Sequence, residues 1–187
     1  MTRPAYGSGP ADPGCRFPDA TVHGGGDLTL PTGNVRSVTD YDAIRDLLPA
    51  MVPFVKTLGL EYLELDAERA VLRLRDEPAF HNHVGGLHAG AMFTLAESAS
   101  GAVVIGSFED LLATVTPLAA AATISYTRLA TGPVTAEAVL DRPATEVRAE
   151  LDRTGETVQF PVRVTLRTED GRTNAEMTID WALRPHR

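Results

Sequence analysis

Cysteine occurs once, at Cys15, in a chain of 187 residues. A single cysteine excludes an intrachain disulfide and any thiolate-rich metal centre. Lysine is as scarce: Lys56 is the only one among 17 basic residues, and 25 acidic residues bring the formal net charge to -8. An acidic chain with no basic cluster suits neither a nucleic acid nor an anionic membrane surface. The sequence has no run of eighteen apolar residues, nor the basic patch and apolar core that open a secretory signal. A soluble, cytoplasmic protein with no nucleic-acid or membrane partner is therefore expected. With 43% hydrophobic and 22% charged residues the composition is that of an ordinary globular protein. The length leaves room for one domain and a tail, not for two domains with separate cores.

Glycine and proline are concentrated at the start. Residues 1–39 carry Gly at positions 7, 9, 14, 24, 25, 26 and 33 and Pro at 4, 10, 13, 18 and 31, with no apolar periodicity. This reads as a flexible N-terminal tail, followed by a folded domain over 40–187. Ile44, Leu47, Leu48, Met51, Val52 and Val55 then recur at helical spacing behind the candidate N-caps Thr39 and Asp40. Pro49 and Pro53 divide the stretch into two short helices, and Gly59 ends it. A hairpin of Leu60 to Asp66 and Arg69 to Arg75 follows.

Ala91 to Ser107 is apolar around most of its circumference, which predicts a helix buried on nearly all sides. Short β-like runs cover Thr123 to Leu129, Val134 to Leu140 and Glu146 to Leu151. Two longer runs, Val158 to Leu166 and Ala175 to Leu183, alternate with period two around the turn Glu169-Asp170-Gly171-Arg172. An α+β architecture satisfies this order: a curved antiparallel β-sheet wrapped around a long central α-helix.

The chemistry concentrates where the chain enters that helix. Gly85, Gly86 and Gly90 let the backbone approach a ligand closely, and free N–H groups at a helix start attract an anion or a carbonyl oxygen. An N–H from Ala89 or Gly90 suits the oxyanion of a reacting carbonyl. Glu97 is the only charged residue between His88 and Glu109. Apolar surroundings make such a carboxylate basic, fit to activate a water or to attack directly. Ala89 and Glu97 are eight residues apart, roughly 12 Å along a helix, too far for both to reach one carbonyl carbon. Glu97 must therefore meet the helix start of a second copy, and a dimer with two shared sites is expected.

The stretch Asn82-x-x-Gly85-x-x-His88-Ala89-Gly90, followed by Ala91-Met92-Phe93-Thr94-Leu95-Ala96-Glu97-Ser98-Ala99, resembles the signature of the hot-dog-fold acyl-CoA thioesterases. The branch it resembles is the PaaI-like, phenylacetate-type one with its uncharacterised relatives. The run Ile124 to Ala130 with Gly132 and Val134 is similar to the strand after the helix in that family. The resemblance implies the hot-dog fold, thioester hydrolysis, no cofactor beyond the coenzyme A of the substrate, and sites shared between subunits of dimers that often pair into tetramers. It places Asn82 beside the substrate carbonyl, and Glu97 as the catalytic acid where this branch more often has Asp. Gly85, Gly86, His88 and Arg128 fall among the substrate-binding positions. Two positions depart from the pattern: Ala89 replaces the middle Gly of His-Gly-Gly, and Gly101 stands where a related branch has a Thr that positions water.

Plainer roles compete at several positions. Glu97 suits a structural acid paired with an arginine, and His88 a helix cap. His81, His83 and His88 make too weak a cluster for a metal, so none is assigned. Ser98 and Ser100 suit close packing better than nucleophilic attack, while Ser98, Ser100 or Thr94 are candidates for the missing Thr. Arg128, Arg142 and Arg148 are candidates for the phosphates of coenzyme A. His23-Gly24-Gly25-Gly26 reads as linker. Two functional alternatives to hydrolysis follow: a non-catalytic acyl-CoA-binding or sensing module, and a dehydratase of acyl thioesters using His88 with Glu97.

Overall fold

A computed structural model describes residues 40–186. Residues 1–39, with Cys15, Thr39 and the His23 segment, lie outside the described residues. The chain enters through α1 (Tyr41–Met51), whose first turn is capped by Asp40: its carboxylate accepts from Ala43 N–H at 3.0 Å. α1 continues through Pro49, and the break falls at Val52 before Pro53 opens α2 (Pro53–Leu58). Gly59 closes α2 with φ of 59°, a left-handed conformation that glycine adopts without strain.

Six strands form one antiparallel sheet: β1 (Glu61–Leu65), β2 (Arg69–Leu74), β3 (Val115–Tyr126), β4 (Val134–Leu140), β5 (Val158–Thr168) and β6 (Thr173–Pro185), in the order β1-β2-β4-β5-β6-β3. Between β2 and β3 runs α3 (Ala89–Phe108), which carries the chain from one side of the sheet to the opposite edge. Leu95, Val103, Val104 and Phe108 of α3 pack completely buried with Leu72, Leu74, Val134, Phe160, Leu166 and Ile179 of the sheet. α3 is long and apolar enough to cross a membrane, and most of it lies inside the fold. Small residues let it pack closely: a Cβ on Gly106 would stand 2.9 Å from the Asp66 carbonyl, and Ser107 Oγ donates to the Ala67 carbonyl at 2.6 Å.

The alternation in β5 and β6 is the alternation of burial. In β5 Val158, Phe160, Val162, Val164 and Leu166 are all buried, and in β6 Ala175, Met177, Ile179, Trp181 and Leu183 are. Pro161 is tolerated inside this sheet because it lies one residue past the last β4 pair, Leu140 with Val162, where no donor is needed. The predicted turn joins the two strands with Gly171 at φ of 79°.

Two segments differ from the sequence reading. Glu146 to Leu151 is not a strand: it belongs to α4 (Ala144–Thr154), an exposed helix that buries only Val147 and Leu151, one turn apart. That spacing fits a helix anchored at two points, and six residues are too few for periodicity to separate the two states. The strand expected over Thr123 to Leu129 instead occupies β3, beginning at Val115, and Thr127 to Leu129 have left the sheet. Its Leu118 to Ala122 run shows no alternation because those residues are at least partly open on both faces.

Candidate active site

The loop before α3 is organised by Asn82. Its Oδ1 accepts from Val84 N–H at 3.0 Å and Gly86 N–H at 3.2 Å, and its Nδ2 donates to the Leu87 carbonyl at 3.2 Å. Asn82 N–H donates to the Gly86 carbonyl at 2.7 Å, and Gly85, at φ of 82°, makes the turn between them. Gly86 is required by the chain's own packing, since a Cβ there would meet Leu129 Cδ1 at 2.6 Å and the Ala130 carbonyl at 2.7 Å. Gly85 and Gly86 thus let the loop close on itself, and neither lines the adjoining cavity.

His88 is the N-cap of α3. Its Nδ1 accepts from Gly90 N–H at 2.9 Å, so the neutral ring carries its proton on Nε2. A Cβ on Gly90 would crowd that imidazole at 3.1 Å, which accounts for the glycine. Gly90 N–H is therefore committed and is not a free oxyanion donor, contrary to its sequence assignment. Ala89 N–H has no acceptor among the described residues. It opens beside a cavity of about 340 Å³ lined by Asn82, Leu87, Ala89, Met92, Tyr126, Thr127, Arg128, Leu129 and Ala130. The structure thus brings Asn82, Ala89 and Arg128 to one cavity, while Glu97 lies outside it.

Glu97 sits on the one stripe of α3 that the sheet leaves incompletely buried, with Phe93, Thr94, Gly101 and Ile105. Burial pushes its carboxyl above the ordinary glutamate value, and no charged or hydrogen-bonding partner among the described residues offsets this. The rival role of an acid paired with an arginine is therefore not what the structure shows. Tyr62 of β1 lies within the field of Glu97: its phenol is pushed up to about 12, first by burial and then by that negative charge.

A family model described as a domain of unknown function, DUF4442, matches residues 42–183. The chain is a DUF4442 protein. Known structures share its fold. A Pseudomonas aeruginosa protein described as of unknown function and a probable thioesterase is 30% identical, with a TM-score of 0.70, covering 86% of this chain and 100% of its own. A thioesterase family protein from Silicibacter pomeroyi is 22% identical, with a TM-score of 0.64, covering 78% and 99%. A mutant of the phenylacetic acid degradation protein PaaI from Thermus thermophilus is 24% identical, with a TM-score of 0.55, covering 71% and 99%. No curated protein matches significantly. The DUF4442 chain thus has the hot-dog fold, within the thioesterase superfamily that the signature around Asn82, His88 and Glu97 resembles.

Several further residues of the DUF4442 chain take definite places. Ser100 Oγ donates to the Glu97 carbonyl at 2.7 Å and accepts from Trp181 Nε1 at 3.0 Å, and Thr94 donates to the Gly90 carbonyl at 3.0 Å. Each hydroxyl thus spends its proton on a backbone carbonyl of α3. Gly101 instead leaves space for the Trp181 ring, 3.4 Å from a would-be Cβ. Arg148 forks onto Asp110 at 2.7 and 2.8 Å and lies over the Phe108 ring, and Arg142 pairs with Glu150 at 2.7 Å. Both brace α4, whereas Arg128 has no ion pair among the described residues. His81 bonds Asp76 at 2.5 Å, and among the described residues no group of three His, Cys, Asp or Glu side chains converges as a metal site. Tyr126 escapes the sequence reading of the site, because its contact with Ala89 spans 37 residues and leaves no local pattern.

Proposed function

We propose that this chain hydrolyses acyl-CoA thioesters at sites each built from two copies of it. The observation that carries the reading is Glu97, a half-buried and unpaired carboxylate on the open stripe of an otherwise enclosed helix. Such a group is costly to retain in a purely structural role. At its own helix start the free donor Ala89 N–H lies roughly 12 Å away along the axis, so the matching carboxylate is the partner's Glu97.

In this mechanism the thioester carbonyl oxygen accepts from Ala89 N–H. The partner's Glu97 takes a proton from water as the hydroxide adds to the carbonyl carbon. The tetrahedral oxyanion collapses, the C–S bond breaks, and the departing coenzyme A thiolate receives that proton. Attack by the carboxylate itself, through an anhydride that water then cleaves, uses the same placement. Asn82 contributes its uncommitted Nδ2 hydrogen to the carbonyl or the water, and Arg128 supplies positive charge for the phosphates. No further cofactor enters.

A second reading, a binding module without turnover, is favoured by one observation: Gly90 N–H and both Asn82 Oδ1 bonds are consumed by the loop itself. Hydrolysis of an acyl-CoA panel followed with a thiol-detecting reagent separates the two. Turnover by the wild type that Glu97→Gln reduces at least ~100-fold is expected. Turnover unaffected by Glu97→Gln sinks the mechanism, and tight calorimetric binding with no turnover favours the module.

A further inference from the structure

Tyr126 ends β3, and its phenol reaches α3 to donate to the Ala89 carbonyl at 2.8 Å. On the other side of the same peptide, Gly90 N–H donates to His88 Nδ1 at 2.9 Å. The Ala89–Gly90 peptide is thus gripped at its oxygen by a side chain from the sheet edge and at its nitrogen by the loop. Tyr126 also walls the cavity that holds Asn82, Ala89 and Arg128.

We propose that Tyr126 is a positioning residue of the thioester site: with His88 it locks the peptide after Ala89 and so holds Ala89 N–H as the oxyanion donor. The inference rests on the thioesterase reading and adds a residue to it. Ala89 N–H belongs to the preceding peptide, whose His88 carbonyl accepts from Met92 N–H at 3.1 Å. With the next peptide gripped at both ends, the Ala89 backbone between them has little freedom to rotate, and a preorganised donor is worth far more than one that must reorient during the reaction. Burial raises the Tyr126 phenol above its ordinary value, so the hydroxyl keeps the proton it donates throughout the neutral range. A phenylalanine there retains the ring as a cavity wall and removes only the grip on the carbonyl.

The test compares wild type and Tyr126→Phe on the best acyl-CoA of the panel, with amide hydrogen exchange at Ala89 and Gly90 followed by NMR. The variant is expected to lose about tenfold in kcat with KM within about twofold, a split that a misplaced donor produces and a lost binding contact does not. In the wild type Gly90 N–H is expected to exchange slowly and Ala89 N–H quickly, with Gly90 losing protection in the variant. Wild-type kcat in Tyr126→Phe overturns the inference and leaves the thioesterase reading intact. An inactive wild type overturns the reading and the inference with it. Should the variant fail to fold, unprotected Gly90 N–H in the wild type overturns the clamp, and protection there with fast exchange at Ala89 supports it.

Discussion

At one edge of the sheet β1 offers five residues, bulged between Tyr62 and Glu64, with Glu64 paired to Arg69 and Glu61 to Arg73 and Arg75. At the other edge β3 runs for twelve residues without a single charged side chain, nine of them exposed. A short, bulged, charged edge discourages further pairing, whereas a long apolar one offers a row of unpaired N–H and C=O groups. The contrast teaches that the sheet is finished at β1 and open at β3. The two-copy site proposed above asks for an open edge of this kind, where a second copy can pair.

The most damaging way to break this comparison is a charge in the middle of β3. Ala122→Lys is expected to halve the mass seen by light scattering and to lower acyl-CoA hydrolysis at least ~100-fold, whereas Leu63→Lys on β1 should leave both within about twofold. An unchanged mass for Ala122→Lys would show that β3 is not the joining edge.

Next comes Glu97→Gln, expected to cost roughly 10²–10⁴-fold in kcat while leaving the mass unchanged, which separates chemistry from assembly. The raised pKa of Glu97 sets two further outcomes. As a base the carboxylate must be ionised, so wild-type activity should fall on acidification at a pH above the ordinary glutamate range. The folded state binds this proton more tightly than the unfolded chain does. Below the unfolded value both states are protonated and there is no penalty; stability is then lost as pH rises from the unfolded value through the folded one. Glu97→Gln should therefore raise Tm at about pH 7 and change it little at about pH 4, readable in paired thermal melts.

Behind the open edge, Trp181→Phe removes the buried N–H that holds Ser100 and should cost about 1 kcal/mol in urea unfolding. The smallest effect is expected at the closed edge. Glu64→Ala breaks an exposed pair with Arg69 and should change stability by no more than about 0.5 kcal/mol, because solvent screens such pairs.

Much of the fold is legible residue by residue. α3 announces itself by being apolar all round, the β5–β6 hairpin by strict alternation, and the end of α2 by Gly59. β3 is half hidden because Leu118 to Ala122 carry no pattern when both faces are open, and α4 passes for a strand because its anchors, Val147 and Leu151, lie within too short a window. In the site, Asn82, His88, Ala89 and Glu97 stand out because their spacing is local. Their bonds within the loop are as local, Asn82 holding Gly86 and His88 holding Gly90 N–H, but the side chain that reaches Ala89 from β3 is not.

Periodicity and spacing alone therefore specify the helix that must be buried, the strands that enclose it, and the distance that separates Ala89 from Glu97. Those follow from interactions between residues a few positions apart, which any chain with this order of side chains would have. Only the tertiary structure decided that Glu97 lacks an arginine partner among the described residues, that Trp181 fills the space beside Gly101, and that Tyr126 grips Ala89. Trp181 and Tyr126 join positions 80 and 37 residues apart, and such contacts depend on how β3 and β6 register within the sheet, which no local pattern encodes.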